Sequence, residues 1–200
     1  MGVRLLSAAF ALAFASAAFA QTPSVTLRGT IETVSADGGA LTMKTRAGEA
    51  ATVRVKPDLP IALVVPATLA DVKQGSFIGV AAVPASDGAL KALEVHIFPE
   101  ALRGTGEGYR PFDLAPGSSM TNGNLSARVE GVEGPTLTVN YHGGQQTIHI
   151  DAKTPIVGIA PGSRADLKPG AALIARGARA DGAVEAARII VGKDGLVPPM

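Results

Sequence analysis

The segment LADVKQG at residues 69–75 returns as RADLKPG at residues 164–170, and any fold for this chain has to account for the repetition. Ala70, Asp71, Val72, Lys73 and Gly75 fall on Ala165, Asp166, Leu167, Lys168 and Gly170 at one constant offset of 95 residues. The match extends in both directions. VRVKPDLPI (53–61) falls on IHIDAKTPI (148–156) at the same offset, LTM (41–43) on LTV (137–139) at 96, and DGALKALEV (87–95) on DGAVEAARI (181–189) at 94. Self-similarity with small loop changes marks two copies of one supersecondary unit of about 70 residues.

Each copy reads as strand. TVRVK, TIHID, LTMKT and LTVNY alternate apolar and polar residues with period two, and Gly and Pro punctuate the intervals. The repeated phrase interrupts the strands with one helical turn. Thr68 with Asp71, and Ser163 with Asp166, have the form of a capping box. Val72 or Leu167 then turns an apolar side chain inward, and Gly75 or Gly170 permits a left-handed exit. Five strands with a turn between the third and fourth predict an all-β chain of two tandem OB-like five-stranded barrels, each with a short helical plug. One β-sandwich built from both halves is the competing fold. The expected spans are 24–98 for the first barrel, 99–124 for an interdomain strap, 125–193 for the second barrel and 194–200 for a tail.

Residues 1–20 carry Arg4, then an apolar run from Leu5, then Ala18-Phe19-Ala20. This is the layout of a signal peptide cleaved after Ala20, and it predicts export to the periplasm. Lys and Arg number 18 and Asp and Glu 17, and Arg4 belongs to the leader, so the remainder is neutral. A neutral chain without a basic run is a poor nucleic-acid binder. The absence of cysteine removes disulfides, thiolate metal ligands and a thiol nucleophile. No stretch after Gln21 has the length of a membrane span, so the expectation is a protein that does not span the membrane.

The pattern G-x-I, LT, V-x-V, T-x-I, DLK-x-G and DG-x-x-x-A-x-x-I resembles a family of exported bacterial OB-like domains of unknown function. RGTGEGYRPFDLAPGSSMTNG together with the closing VPPM resembles a narrower proteobacterial group to which the name "metal ABC transporter permease" is often attached. The resemblance implies fold and location; it brings no catalytic residues.

The residues themselves offer little chemistry. The Gly143-Gly144 pair predicts a hairpin with His142 opposite Gln145 and His149 opposite Thr138, both histidines on the wet face and about 13 Å apart. They could not share one metal, and His96 stands in another strand, so no metal ligands and no cofactor are expected. G-x-S-x-G, H-E-x-x-H and a phosphate loop are missing; GTGEG at 104–108 lacks the Lys-Ser/Thr that would follow. Outside the leader the aromatics are Phe77, Phe98, Phe112, Tyr109 and Tyr141, too few and too core-like for a base-stacking face.

Residues 99–124 exceed what a barrel requires. They hold two of those aromatics and a mixed-charge cluster, so Arg103, Glu107, Tyr109, Arg110, Phe112 and Asp113 are the candidate binding residues. The first reading of the segment is nevertheless a strap docked on its own two domains, with Tyr109 and Phe112 expected to pack into the junction, and a recognition segment for a partner or ligand is the second. The functional expectation is a non-enzymatic periplasmic binding or scaffolding protein for a protein partner or small ligand. A soluble accessory of metal uptake and a hydrolase with an unrecognised site are the alternatives.

Overall fold

The alternating segments of both copies do become strands, and the computed structural model, which describes residues 24–132 and 134–200, is nearly all β. The signal-peptide reading lies outside the described residues. The strands are β1 (Ser24–Val34), β2 (Ala40–Thr45), β3 (Ala50–Arg54), β4 (Ile61–Pro66), β5 (Phe77–Pro84) and β6 (Leu90–Ile97) in the first copy. The intervening segment contributes β7 (Gly108–Pro111). The second copy supplies β8 (Ser119–Val129), β9 (Thr136–Tyr141), β10 (Gly144–His149), β11 (Ile156–Pro161), β12 (Ala172–Ala180) and β13 (Ala183–Gly192). Among the described residues no helix is long and apolar enough to cross a membrane.

Pairing closes the strands into two rings, and neither ring is one copy. In the first, β1 pairs β2, β2 pairs β3, β3 meets β13 in parallel, β13 pairs β12, and β12 returns to β1. In the second, β8, β9, β10, β6 and β5 close in the same manner. The β1 ring therefore takes three strands from the first copy and two from the second, and the β8 ring takes the reverse. The expectation that each copy closes on itself, with spans 24–98 and 125–193, does not describe these pairings.

The cause is a strand that the sequence reading passed over. IALVVP (β4) and IVGIAP (β11) continue past the third strand of each copy and pair with one another antiparallel, Ile159 opposite Val64. β4 also runs parallel to β13, and β11 parallel to β6. Six strand residues carry the chain about 20 Å. Only Ala67 and Thr68 separate the end of β4 from the turn at Leu69–Asp71, so the phrase is delivered to the other ring.

The phrase itself folds as its residues dictate. Asp71 accepts from the Thr68 amide and hydroxyl, each at 2.8 Å, and Asp166 accepts from the Ser163 amide at 2.7 Å and its hydroxyl at 2.9 Å. Val72 and Leu167 are buried, and Gly75 and Gly170 take φ values of 84° and 86°. Val72 joins the interior of the β8 ring, with Ile78, Val80, Leu125, Leu137 and Ile148. Leu167 joins that of the β1 ring, with Ile31, Leu41, Met43, Leu173 and Ile189. A third apolar cluster, including Phe77, Phe98, Ile159, Ile174 and Ile190, lies apart from the two interiors.

Two boundaries differ from expectation. SMTNGNLSARV opens the second copy as β8, although Asn-Gly reads as a turn; the strand is covered on both faces, and Ser119, Met120, Thr121 and Asn122 are all buried. The closing residues are not a loose tail. Met200 is buried and its carbonyl accepts from Arg28 Nε at 3.0 Å, while the Pro198 carbonyl accepts from Arg46.

Candidate functional site

The strap is built into the sheet. β7 pairs antiparallel with β8, placing Arg110 opposite Met120 and Gly108 opposite Asn122. Arg103 donates to the Gly75 carbonyl and to Asn124, and Glu107 accepts from the His142 amide at 2.9 Å. At its far end Asp113 takes both terminal nitrogens of Arg28 on β1, at 2.7 and 3.1 Å, and the Arg28 guanidinium lies 5.9 Å from the centre of the Phe112 ring. The strap thus touches both rings. Phe112 is half-buried, but Tyr109 is 47% exposed, which corrects the expectation that both aromatics pack into the junction. Tyr109 misses it because alternation along β7 sends its side chain to the side opposite Arg110.

Arg110, Phe112 and Asp113 line a cleft of about 70 Å³ whose other walls include Thr26, Arg28, Ile174, Arg176, Arg188, His96, Asn122 and Met200. Arg103, Glu107 and Tyr109 are not brought to it. The outward-facing residues of β1, β12 and β13 form one wall, and those of β6 and β8 form another.

Two β-bulges aim the walls. Across β5 and β6 the register slips so that Ala81 opposes Glu94 and Ala82 opposes Ala92, leaving Leu93 as the extra residue. Across β12 and β13 Arg176 opposes Arg188 and Gly177 opposes Ala186, leaving Ala187 extra. Each bulge flips the face that follows it. Val95 therefore packs inside the β8 ring while Glu94 and His96 face outward, and Ile189 packs inside the β1 ring while Arg188 faces outward. The offset of 94 makes Glu94 and Arg188 counterparts, so the same device presents opposite charges in the two copies.

On the β6 side His96 and Glu94 are buried, with His96 Nδ1 3.1 Å from a Glu94 carboxylate oxygen, and His96 stands edge-on to Phe98. His96 is buried because β6 is covered on its outer side as well as its inner. A Cβ on Gly79 would sit 2.0 Å from His96 Nε2 and 2.7 Å from Asn122 Oδ1, so only glycine fits beneath them. Asn122 Nδ2 donates to the Thr105 carbonyl at 3.0 Å, which fixes the amide orientation, and Oδ1 is buried without a partner.

On the opposite wall the charges are poorly matched. Among the described side chains four guanidiniums and one carboxylate line the cleft; that carboxylate, Asp113, is engaged by Arg28, which also donates to a main-chain oxygen of Met200. Among the described residues Arg110, Arg176 and Arg188 have no acidic partner within 4.0 Å. Lost hydration, and then the neighbouring Arg176, push Arg188 below its ordinary pKa; lost hydration, Arg188 and Arg176 do the same to Arg110. Arg176 and Arg188 form the rim, Arg188 exposed over part of its surface while the rest loses hydration against the cleft, and Arg110 is half-buried.

A hollow of about 380 Å³ adjoins the cleft and shares Thr26, Phe112, Asp113 and Arg176 with it, and two others, each about 510 Å³, carry less chemistry. One contains His149, whose Nε2 lies 2.8 Å from Asp87, and the Lys91–Asp151 pair at 3.5 Å; its charged groups are matched. The other is an apolar groove with Arg188 at its edge. His142 and His149 do not pair as expected either. The loop is His142-Gly143, with Gly143 at φ 96°, so His149 opposes Thr136. The register moves by two residues, which keeps Leu137, Val139, Ile148 and Ile150 on the inner face.

The chain is thus a nearly all-β protein with an arginine-rimmed cleft. Residues 126–190 match the family model of DUF5666, a domain of unknown function. That span begins in β8 and ends in β13, so the matched segment contributes strands to both rings. No curated protein matches the chain.

Proposed function

We propose that the chain is an exported, non-enzymatic binding protein built from two OB-like barrels, with a small ligand held in the cleft between them. Each ring has five strands and a capped turn whose apolar side chain enters the interior, which supports the barrel reading. The leader-like residues 1–20 support export to the periplasm. The observation that carries the ligand site is the unpartnered Asn122 Oδ1 in a cleft rimmed by unmatched guanidiniums. Buried acceptors and crowded like charges each cost stability, and a ligand offering a donor and a negative charge offsets both.

Binding is favoured over catalysis by the kind of groups assembled. The perturbed groups of the cleft are Arg110, Arg188 and Asp113, whose carboxyl Arg28 holds below its ordinary value, and none of them moves a proton near neutrality. The His96–Glu94 pair has the look of a base and its orienting carboxylate, but His96 Nε2 lies over Gly79 beside the Asn122 amide oxygen.

A thermal-shift screen of small polar metabolites against the full chain and against Thr26→Trp, which fills the cleft from the β1 side, tests the site. Compounds that stabilise the parent but not the variant support it. Stabilisation of both equally would place binding elsewhere.

A further inference from the structure

We propose that the cleft takes a small oxyanion that still carries a proton, hydrogen phosphate being the type, with Arg110, Arg176 and Arg188 meeting its charge and Asn122 accepting its hydroxyl. This rests on the reading of the cleft as the ligand site and names what that site selects.

The charge requirement comes from three guanidiniums reaching one opening from two directions. Arg176 and Arg188 are direct neighbours across β12 and β13, and Arg110 stands on the strap. Arg188 makes no side-chain hydrogen bond among the described residues, Arg110 spends one donor on the Gly106 carbonyl, and Arg176 spends one on Ser24. A guanidinium offers five donors in a planar fork suited to two oxygens of one anion. Most of the donors on this rim are uncommitted, and among the described residues no carboxylate lies within 4.0 Å of any of the three.

Size narrows the class. The cleft itself is small, about 70 Å³, which suits a ligand of a few heavy atoms at its base. Hydrogen bonding narrows it again. With its Nδ2 held by the Thr105 carbonyl, Asn122 presents an oxygen that can only accept. Sulfate is fully ionised near neutrality and would set lone pair against lone pair. Hydrogen phosphate has a hydroxyl to donate. A buried polar group that one anion satisfies and another leaves unpaired is a strong basis for discrimination.

Titration calorimetry on the full chain at pH 7, with inorganic phosphate and with sulfate at matched ionic strength, tests the proposal. Phosphate should bind saturably and at least about tenfold more tightly than sulfate, the scale of one lost hydrogen bond in a buried site. Arg188→Gln should weaken phosphate by about tenfold or more. Asn122→Ala should shrink the preference for phosphate while leaving sulfate nearly unchanged. If Arg188→Gln fails to fold, Arg176→Gln at the exposed rim serves in its place. No binding of phosphate, or phosphate and sulfate binding alike, overturns the proposal. Should the metabolite screen meanwhile find compounds blocked by Thr26→Trp, the cleft remains the ligand site and only its oxyanion chemistry falls; if the screen also finds none, both fall together.

Discussion

Severing the chain in the strap, after Ala115, tests the interleaving of the two copies directly. A first-half fragment of residues 24–115 retains β1 to β7 but has lost the partners of both sets. The interior of the β1 ring draws Leu167, Leu173, Val184, Ile189 and Val191 from the second copy, besides three alanines. At about 1.5–3 kcal/mol for each of the five larger side chains, their loss removes about 8–15 kcal/mol. A domain of this size has about 5–15 kcal/mol in total, so the fragment cannot keep a folded monomer by this architecture. Two copies of the fragment can, because each offers its β5–β6 hairpin, the counterpart of the missing β12–β13, to the β1–β3 meander of the other. Sedimentation and thermal melting across a hundredfold range of concentration should therefore show a dimer whose melting temperature rises with concentration. A monomeric fragment with a cooperative, concentration-independent melt would refute the reasoning and restore self-closing copies.

Leu167→Asp and Val72→Asp should each cost several kcal/mol by placing a charge in an apolar interior, and hydrogen exchange should show the first loosening β1 to β3 and the second loosening β8 to β10. Thr121 is fully buried in β8 with an unpartnered hydroxyl, so Thr121→Val should raise stability by about 1 kcal/mol in chemical denaturation; a loss of stability would mean that the hydroxyl has a partner. The Arg28 guanidinium holds the Asp113 carboxyl below its ordinary 3.8, so this strap anchor is complete above that pH and is lost as pH falls through the lowered folded value. Hydrogen exchange of residues 108–113 should accelerate only below about pH 4, with Arg28→Ala accelerating it at every pH.

The turns, plugs and inner faces were legible because they are local. Thr68-x-x-Asp71, Val72 and Gly75 specify a capped turn, an inward side chain and a left-handed exit whichever ring receives them. Alternation gave the inner faces of β9 and β10 even with the register wrong by two residues, since an even shift leaves faces unchanged. Exchange of strands between copies was not legible, because the repeat constrains each unit's order and says nothing about which copy supplies the partner. Asn122 was hidden in a polar run that reads as linker, and Arg176 and Arg188 in strands that read as half-solvated. Arg110, Phe112 and Asp113 could be found, since aromatics and charges concentrated where no barrel strand was needed.

The strand exchange also sets a timetable for the emerging chain. The β8 ring draws on residues 77–149, a continuous stretch, and can close while the rest is still being made. The β1 ring cannot. Its first strand pairs Ser24 with Ala178, so β1, β2 and β3 wait with Leu27, Ile31, Leu41, Met43 and Val53 uncovered until the last two strands arrive. Contacts so distant in sequence form slowly, and an uncovered apolar meander is the species most exposed to aggregation in the interval. The first strands made are the last to be protected.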